Sequence, residues 1–300
     1  MLDTKNKIEK LFGHRYTVSG LIYNHDKAII YKAFDTYVNR KVVIKTSIGL
    51  SECFSREMEF MYCSLDNNSA PKLYDYREVG QRVPAIVMEY IDGVTLEQII
   101  KYNINHCITP SYESSHFILK SILFAMRELK QYLGRDFVHG DICPANIMLT
   151  STGDLKIIDL NLGSIQMWSI ENFHYGRPDY EPPEMTKNVE YDPRKLEVYS
   201  IKATAIEFCT NYKYKDILEN VSRFEISDFN KKLPTWFCET LKTAMSDNHR
   251  KRRKIPGVLV DIFNNRAAPI EECPKELKQI IQATKEISSS KIPDVRLEVA

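Results

Sequence analysis

HGDICPANIML, running from His139 to Leu149, is followed after a Thr152-Gly153-Asp154 turn by LKIIDL, which ends at Asp159 and Leu160. His139, Asp141, Asn146 and Asp159, each able to hold a cation or take part in proton movement, sit in these two runs among short apolar segments. The runs on either side of the turn, IMLT from Ile147 and LKIIDL from Leu155, read as two short paired strands. Taken alone the loop is ambiguous, because an Asp and an Asn beside a proline also serve to cap turns. Its flanks resolve the reading.

Upstream, three short runs rich in Val, Ile and Tyr are separated by the turn-like segments NHD and DTYVNR. They are YTVSGLI from Tyr16, AIIYKAF from Ala28 and RKVVIK from Arg40, the pattern of an antiparallel meander. SECFSREMEFMYCSL then sets Phe54, Met58, Met61 and Leu65 at three-to-four spacing, which predicts one helix. KLYDYREV and VPAIVMEY add two strands. Beyond Asp92 and Gly93 the pattern is helical almost throughout, apart from the pair of strands around residue 150. The expected fold class is α+β and two-lobed: a small antiparallel β lobe with one main helix, then a larger, mainly α lobe. The expected divisions are an N-terminal extension over 1–15, the small lobe over 16–90, the large lobe over 91–265 and a helical tail over 266–300. Within the extension, Leu2, Ile8, Leu11 and Phe12 mark a short surface helix that needs packing to hold it.

Composition narrows the class. The chain has 300 residues, 43% of them hydrophobic, enough for a sizeable core. Lys and Arg number 41 against 40 Asp and Glu, so no net field draws the chain to nucleic acid or to a membrane surface. The basic run from Arg250 to Lys254 reads as a solvated helix end with one buried arginine rather than a nucleic-acid site. No apolar run approaches the roughly 18 residues of a membrane span, and MLDTKNKIEKLF lacks the apolar core of a secretory signal. A cytoplasmic location is expected. The seven cysteines form no CxxC pair, so most are expected to be reduced, packed thiols. Composition leaves the oligomeric state open.

The order of these landmarks resembles that of the protein kinases. HGDICPANIML resembles their catalytic loop, H-R-D-x-x-x-x-N, with LKIIDL leading to the metal-binding Asp. The resemblance implies Asp141 as catalytic base, Asn146 as a metal ligand and Asp159 as the main metal ligand. An Asp and an Asn five apart on one loop can face a substrate hydroxyl and a magnesium ion, and the second Asp reaches the same metal-bound phosphates. In VVIK, Lys45 matches the lysine that contacts nucleotide phosphates, and in SREMEFM, Glu57 matches its ion-pair partner. A Lys held by a Glu presents a fixed cation to a polyanion; Lys45 is expected to be half-exposed. VMEYIDGVTL resembles the segment linking the lobes, with Met88 at the back of the adenine pocket and Glu89 and Tyr90 offering backbone hydrogen bonds. GRPDYEPPEM resembles the end of an activation segment, LEVYSIKATAIEF the central buried helix of the large lobe, and Arg252 the buried partner of Glu184. His139 is read as a packed loop histidine that orients the backbone. The resemblance covers Tyr16 to Phe263.

Several positions depart from the family pattern. LIYNHDKAIIYKAF lays Tyr23, His25 and Ala28 where three glycines of the nucleotide-facing loop are expected, which implies a weak phosphate grip. Gly140 replaces the arginine that receives a phosphorylated activation segment, so activation by that route is not expected. Cys143 replaces a lysine, and no basic residue lies between Asp141 and Asn146. Leu160 and Asn161 stand where Phe-Gly is usual, and Glu197 replaces the Asp that anchors the catalytic loop. The implied activity is ATP- and magnesium-dependent transfer of the γ-phosphate to a Ser or Thr hydroxyl of a protein substrate. Two alternatives stay open: a pseudokinase acting as a partner-binding module, and a small-molecule kinase, since H-G-D is also similar to the loop of aminoglycoside and choline kinases.

Overall fold

Runs of β-branched and aromatic residues become five strands: β1 (Tyr16–His25), β2 (Ala28–Asp35), β3 (Arg40–Ser47), β4 (Leu73–Val79) and β5 (Arg82–Glu89). They form one antiparallel sheet in the order β1-β2-β3-β5-β4. The computed structural model describes residues 2–25, 28–47, 52–79, 82–160, 176–185, 191–220, 225–264 and 272–290.

Period-two alternation decides what each face of this sheet does. Tyr16, Val18, Tyr31, Ala33, Val42, Ile44, Ala85 and Val87 form one buried face, closed by Ile8 of helix α1 (Leu2–Leu11) and by Phe12 just beyond it. The Glu9 carboxylate accepts the Val18 N–H at 2.9 Å, and the Arg77 guanidinium sits 4.6 Å from the centre of the Phe12 ring. The N-terminal helix is thus held by packing of its apolar side. On the opposite face, Ile86 and Met88 join Phe60 and Met61 of helix α2 (Glu52–Cys63) in the main core. Lys45 pairs with Ile86 across β3 and β5, so it points to that second face, where α2 lies. The helical period predicted for α2 ran one turn too far: α2 ends at Cys63, and Leu65 lies exposed in the turn beyond.

The large lobe begins with β6 (Gly93–Thr95), which pairs with β7 (Ile147–Thr150) and then β8 (Leu155–Ile157). Its helices are α3 (Leu96–Asn105), α4 (Tyr112–Leu133), α5 (Leu196–Thr210), α6 (Tyr214–Asn220), α7 (Ile226–Phe229), α8 (Thr235–Thr243), α9 (Ile255–Asn264) and α10 (Lys275–Ser290). Thr95 and Gln98 form a reciprocal capping box that starts α3. Every residue of α5 is buried, the mark of a helix enclosed on all sides. The tail helix α10 returns to the same core through Leu277 and Ile281, and Lys285 Nζ reaches Asp92 Oδ2 at 2.7 Å. None of the described helices is long and apolar enough to cross a membrane. Of the described thiols, Cys143, Cys209, Cys238 and Cys273 are packed, whereas Cys63 and Cys107 are exposed.

Within the basic run one arginine turns inward, as its pairing with Glu184 required. Arg252 is 1% exposed and binds both Glu184 oxygens, at 2.6 and 3.1 Å. Its other three N–H groups donate to the carbonyls of Ser246, Lys195 and Asp247, so all five donors are used. Removing one partner of such a buried pair leaves a carboxylate desolvated and uncompensated, a loss of about 3–5 kcal/mol. Arg252→Met should lower the unfolding free energy by that amount in a urea titration, while Arg250→Met, at an exposed position, should change it by less than about 0.5 kcal/mol.

Candidate active site

The cleft between the sheet and the helical lobe is organised around one ammonium group. Lys45 Nζ donates to Glu57 Oε2 at 2.6 Å and to Asp159 Oδ1 at 2.8 Å. Glu57 comes from α2, twelve residues on, and Asp159 from the loop after β8. Lys45 is only 6% exposed, which corrects the expectation of a half-exposed side chain. Burial by itself disfavours its charge, but the two carboxylates outweigh that and raise its pKa. Asp159 has φ +67°, a left-handed conformation that Asp tolerates better than most residues and that the surrounding fold must hold in place.

Asp141 is positioned from three sides. His139 accepts the Asp141 N–H on Nδ1 at 3.2 Å and donates from Nε2 to the Ile158 carbonyl at 3.2 Å. Burial pushes the imidazole down to about 4, so it is neutral, with its proton on Nε2 as those bonds require. His139 therefore clips the backbone of Asp141 to the residue before Asp159, the orienting part read from sequence. Gly140, at φ +81°, donates its N–H to Glu197 Oε1 on α5 at 3.0 Å. Glu197 thus reaches the loop although it is one methylene longer than the usual Asp. Asn146 Nδ2 donates to the Asp141 carbonyl at 2.9 Å and to Asp141 Oδ2 at 2.7 Å. Asp141 Oδ1 has no hydrogen-bond partner among the described residues, and burial raises the carboxyl to about 6.

Two contacts here were not read from the sequence. The Gly176 N–H donates to the Gly140 carbonyl at 3.0 Å, and a β-carbon at 176 would overlap the Asp141 carboxylate. Arg177 Nε lies 3.9 Å from Asp141 Oδ2. Both residues stand in the quoted GRPDYEPPEM, but nothing local to that string says which loop it presses on. The segment 161–175 before it, Asn161 included, lies outside the described residues, and Leu160 is buried in the core.

At the link between the lobes, Met88 is buried, and the Glu89 N–H is committed to the Lys72 carbonyl at 2.9 Å. A ligand along this edge must therefore use other backbone groups than that donor. The Glu89 carboxylate takes Lys156 Nζ of β8 at 2.7 Å, a bridge between lobes that the sequence did not suggest. Tyr90 is half-buried, with Lys32 and Lys41 ammonium groups 5.3 and 5.9 Å from its ring centre. Tyr23 pairs with Ile30, and His25 with Ala28, so the positions expected to be glycine lie on a β-ladder at the hairpin end, just past a register irregularity between Leu21 and Tyr23. Residues 26 and 27 and the side chain of His25 lie outside the described residues.

For a metal, the site offers hard oxygen donors: the Asp159 carboxylate, whose side chain is 35% exposed, and the Asn146 amide oxygen. Among the described residues no group of three or more His, Cys, Asp or Glu forms a closed cage. Two oxygen donors fit Mg²⁺, which keeps water and phosphate oxygens as its remaining ligands.

This architecture is a kinase fold: the crystal structure of the Mycobacterium tuberculosis PknI kinase domain matches it with a TM-score of 0.62 at 17% identity, covering 84% of this chain and 96% of that one. The chain belongs to the protein kinase family, whose domain model matches residues 26–291. It is 28% identical over 215 residues to a probable serine/threonine-protein kinase of Clostridium acetobutylicum, across 68% of this chain and 31% of that protein. It is 25% identical over 222 residues to the serine/threonine-protein kinase PknL of Mycobacterium tuberculosis, across 70% of this chain and 53% of that protein. The chain thus spans about a third to a half of the length of these two relatives.

Gly176 gives the site a direct structural test. Gly176→Ala should force the segment and the catalytic loop apart and lower stability by about 1–3 kcal/mol, the usual range for overpacking. Gly20→Ala, where a β-carbon meets open space, should leave the melting curve nearly unchanged in the same calorimetric comparison.

Proposed function

We propose that this chain is an ATP- and magnesium-dependent serine/threonine protein kinase acting in the cytoplasm, where both are supplied. The observation that carries the reading is the joined cluster of Lys45, Glu57 and Asp159, with Asp141 and Asn146 beside it on a loop clipped to the residue before Asp159. Relatives described as serine/threonine-protein kinases support a protein hydroxyl as acceptor.

In this reading Lys45 binds the nucleotide phosphates, fixed by Glu57. Met88 backs the adenine, Glu89 and Tyr90 border it along the link, and Tyr23 and Ala28 cover the phosphates from the hairpin. Asp159 and Asn146 hold the magnesium, which when bound neutralises charge on the phosphates. Asp141 orients the substrate hydroxyl and accepts its proton as the oxygen attacks the γ-phosphorus. The bond from that phosphorus to ADP breaks, and its electron pair leaves with ADP. Neutral His139 keeps the Asp141 backbone in place. One observation favours a second reading, a partner-binding module with little turnover: the regular pairing of Tyr23 and His25 with β2 engages backbone where glycines would leave it to approach phosphate.

The two readings separate by mutation, with millimolar ATP in the assay because the hairpin grips phosphate weakly. Asp141→Asn should keep ATP affinity and lower turnover by about 10²–10⁴-fold, the usual share of a general base. Asp159→Ala should remove the magnesium-dependent part of ATP binding. Lys45→Met should weaken ATP binding and also destabilise the fold, since Glu57 stays buried without its partner. Equal inertness of the unaltered chain and Asp141→Asn across several protein substrates would leave the binding-module reading standing.

The acidity of Asp141 predicts a pH profile. A base must be ionised to accept a proton, and this carboxyl titrates near 6. kcat/KM should therefore be level above about pH 7 and fall towards tenfold per pH unit well below 6. A profile flat down to pH 4.5 would remove Asp141 as the base.

A further inference from the structure

Phosphoryl transfer spreads negative charge over three oxygens, and a cation beside the catalytic Asp normally answers it. In this chain position 143 cannot serve. Cys143 is buried, and burial pushes its thiol up to about 12, so it carries no charge at neutral pH. Lys45 is engaged by Glu57 and Asp159, and His139 is neutral.

Arg177 is differently placed. Among the described residues it is the cation within 4 Å of the Asp141 carboxylate, at 3.9 Å. That separation is too long for a hydrogen bond, and its guanidinium makes none among the described residues. The side chain is 43% exposed, so the head can turn. Its backbone is held on both sides. Before it, the Gly176 N–H is bonded to the Gly140 carbonyl, and the Gly176 α-carbon rests against Asp141. After it, the Tyr180 hydroxyl donates to Glu207 Oε2 at 2.5 Å, and Ser200 Oγ donates to the Tyr180 carbonyl at 2.9 Å, both from α5. A fixed backbone and a mobile charged head are what a group must have to stay beside Asp141 and then follow an arriving phosphate.

We propose that Arg177 is a catalytic residue: its guanidinium, carried on the end of the activation segment, grips the phosphoryl group in transfer and takes the place of the cation missing at 143. The proposal rests on the kinase reading above. The planar fork of Arg binds two phosphoryl oxygens at once, which suits a group whose charge is shared among its oxygens. At rest Arg177 faces Asp141. When substrate binds, the hydroxyl takes the Asp141 carboxylate and Arg177 turns to the phosphoryl oxygens. In the step itself the bond from hydroxyl oxygen to γ-phosphorus forms, the bond to ADP breaks with its electron pair, and the hydroxyl proton goes to Asp141. Arg177 exchanges neither proton nor electrons.

The test compares the unaltered chain with Arg177→Ala and Arg177→Lys, using magnesium with ADP, AMP-PNP and ATP. Three quantities are read: turnover on a protein substrate, the ratio of AMP-PNP to ADP affinity, and the melting temperature. Arg177→Ala should cut turnover by about 10²–10³-fold, as loss of one preorganised charge donor does. It should lower the affinity ratio by about tenfold, the effect of one charge-assisted bond, with ADP affinity and melting temperature unchanged. Arg177→Lys should recover part of both losses. Unchanged turnover and ratio in Arg177→Ala would overturn the proposal, as would a loss shared equally by ADP binding and the melting temperature. If the unaltered chain transfers no phosphate, the kinase reading fails, and the affinity ratio alone then decides whether Arg177 grips the γ-phosphate.

Discussion

The ammonium of Lys45, held between Glu57 and Asp159, is the interaction on which the cleft depends. An ammonium taken out of water is costly unless its partners are close and well aimed. Here one partner belongs to the small lobe and the other to the large, so the group that needs both also ties them together. Glu89 and Lys156 make a second tie beside the link. Loss of either carboxylate would change the position of the lobes' shared edge as well as the charge of the site.

The loop that carries Asp141 shows how a divergent sequence keeps its anchoring bonds. Glu197 takes an anchoring part usual for Asp, and reaches the Gly140 N–H because α5 is enclosed and fixes where its side chain starts. Gly140 accommodates a positive φ without the strain a side chain would add. Tyr180 is bonded to Glu207 and Ser200 of α5, and Glu184 is bound by Arg252 with every guanidinium donor satisfied, so the segment after Gly176 is held against that helix. The same helix thereby sets both sides of Asp141, its own loop and the Gly176–Arg177 strand of chain that covers it.

Burial gives the site its electrostatic character. Desolvation raises Asp141 and lowers His139, shifts of opposite sign that leave a carboxyl able to take a proton near neutrality beside an imidazole that stays uncharged. Each shift has a consequence for folding as well. The lowered His139 costs stability as pH falls from about 6.5 towards 4, and the raised Asp141 contributes stability over nearly the same window. The two offset one another within a single loop.

Much of this was readable from the chain itself. Short runs rich in Val, Ile and Tyr predicted the strands, three-to-four spacing predicted α2, and the order of Lys45, Glu57, Asp141, Asn146 and Asp159 resembled one family. The same resemblance implied Arg252 as the buried partner of Glu184. These readings rest on periodicity and order along the chain, which are local properties of a sequence. The burial of Lys45, the Lys156 bridge, the return of α10 to the core and the approach of Gly176 and Arg177 to Asp141 were decided only by the tertiary structure. Each joins residues far apart in sequence, and no spacing rule encodes which distant side chains a packed core brings face to face.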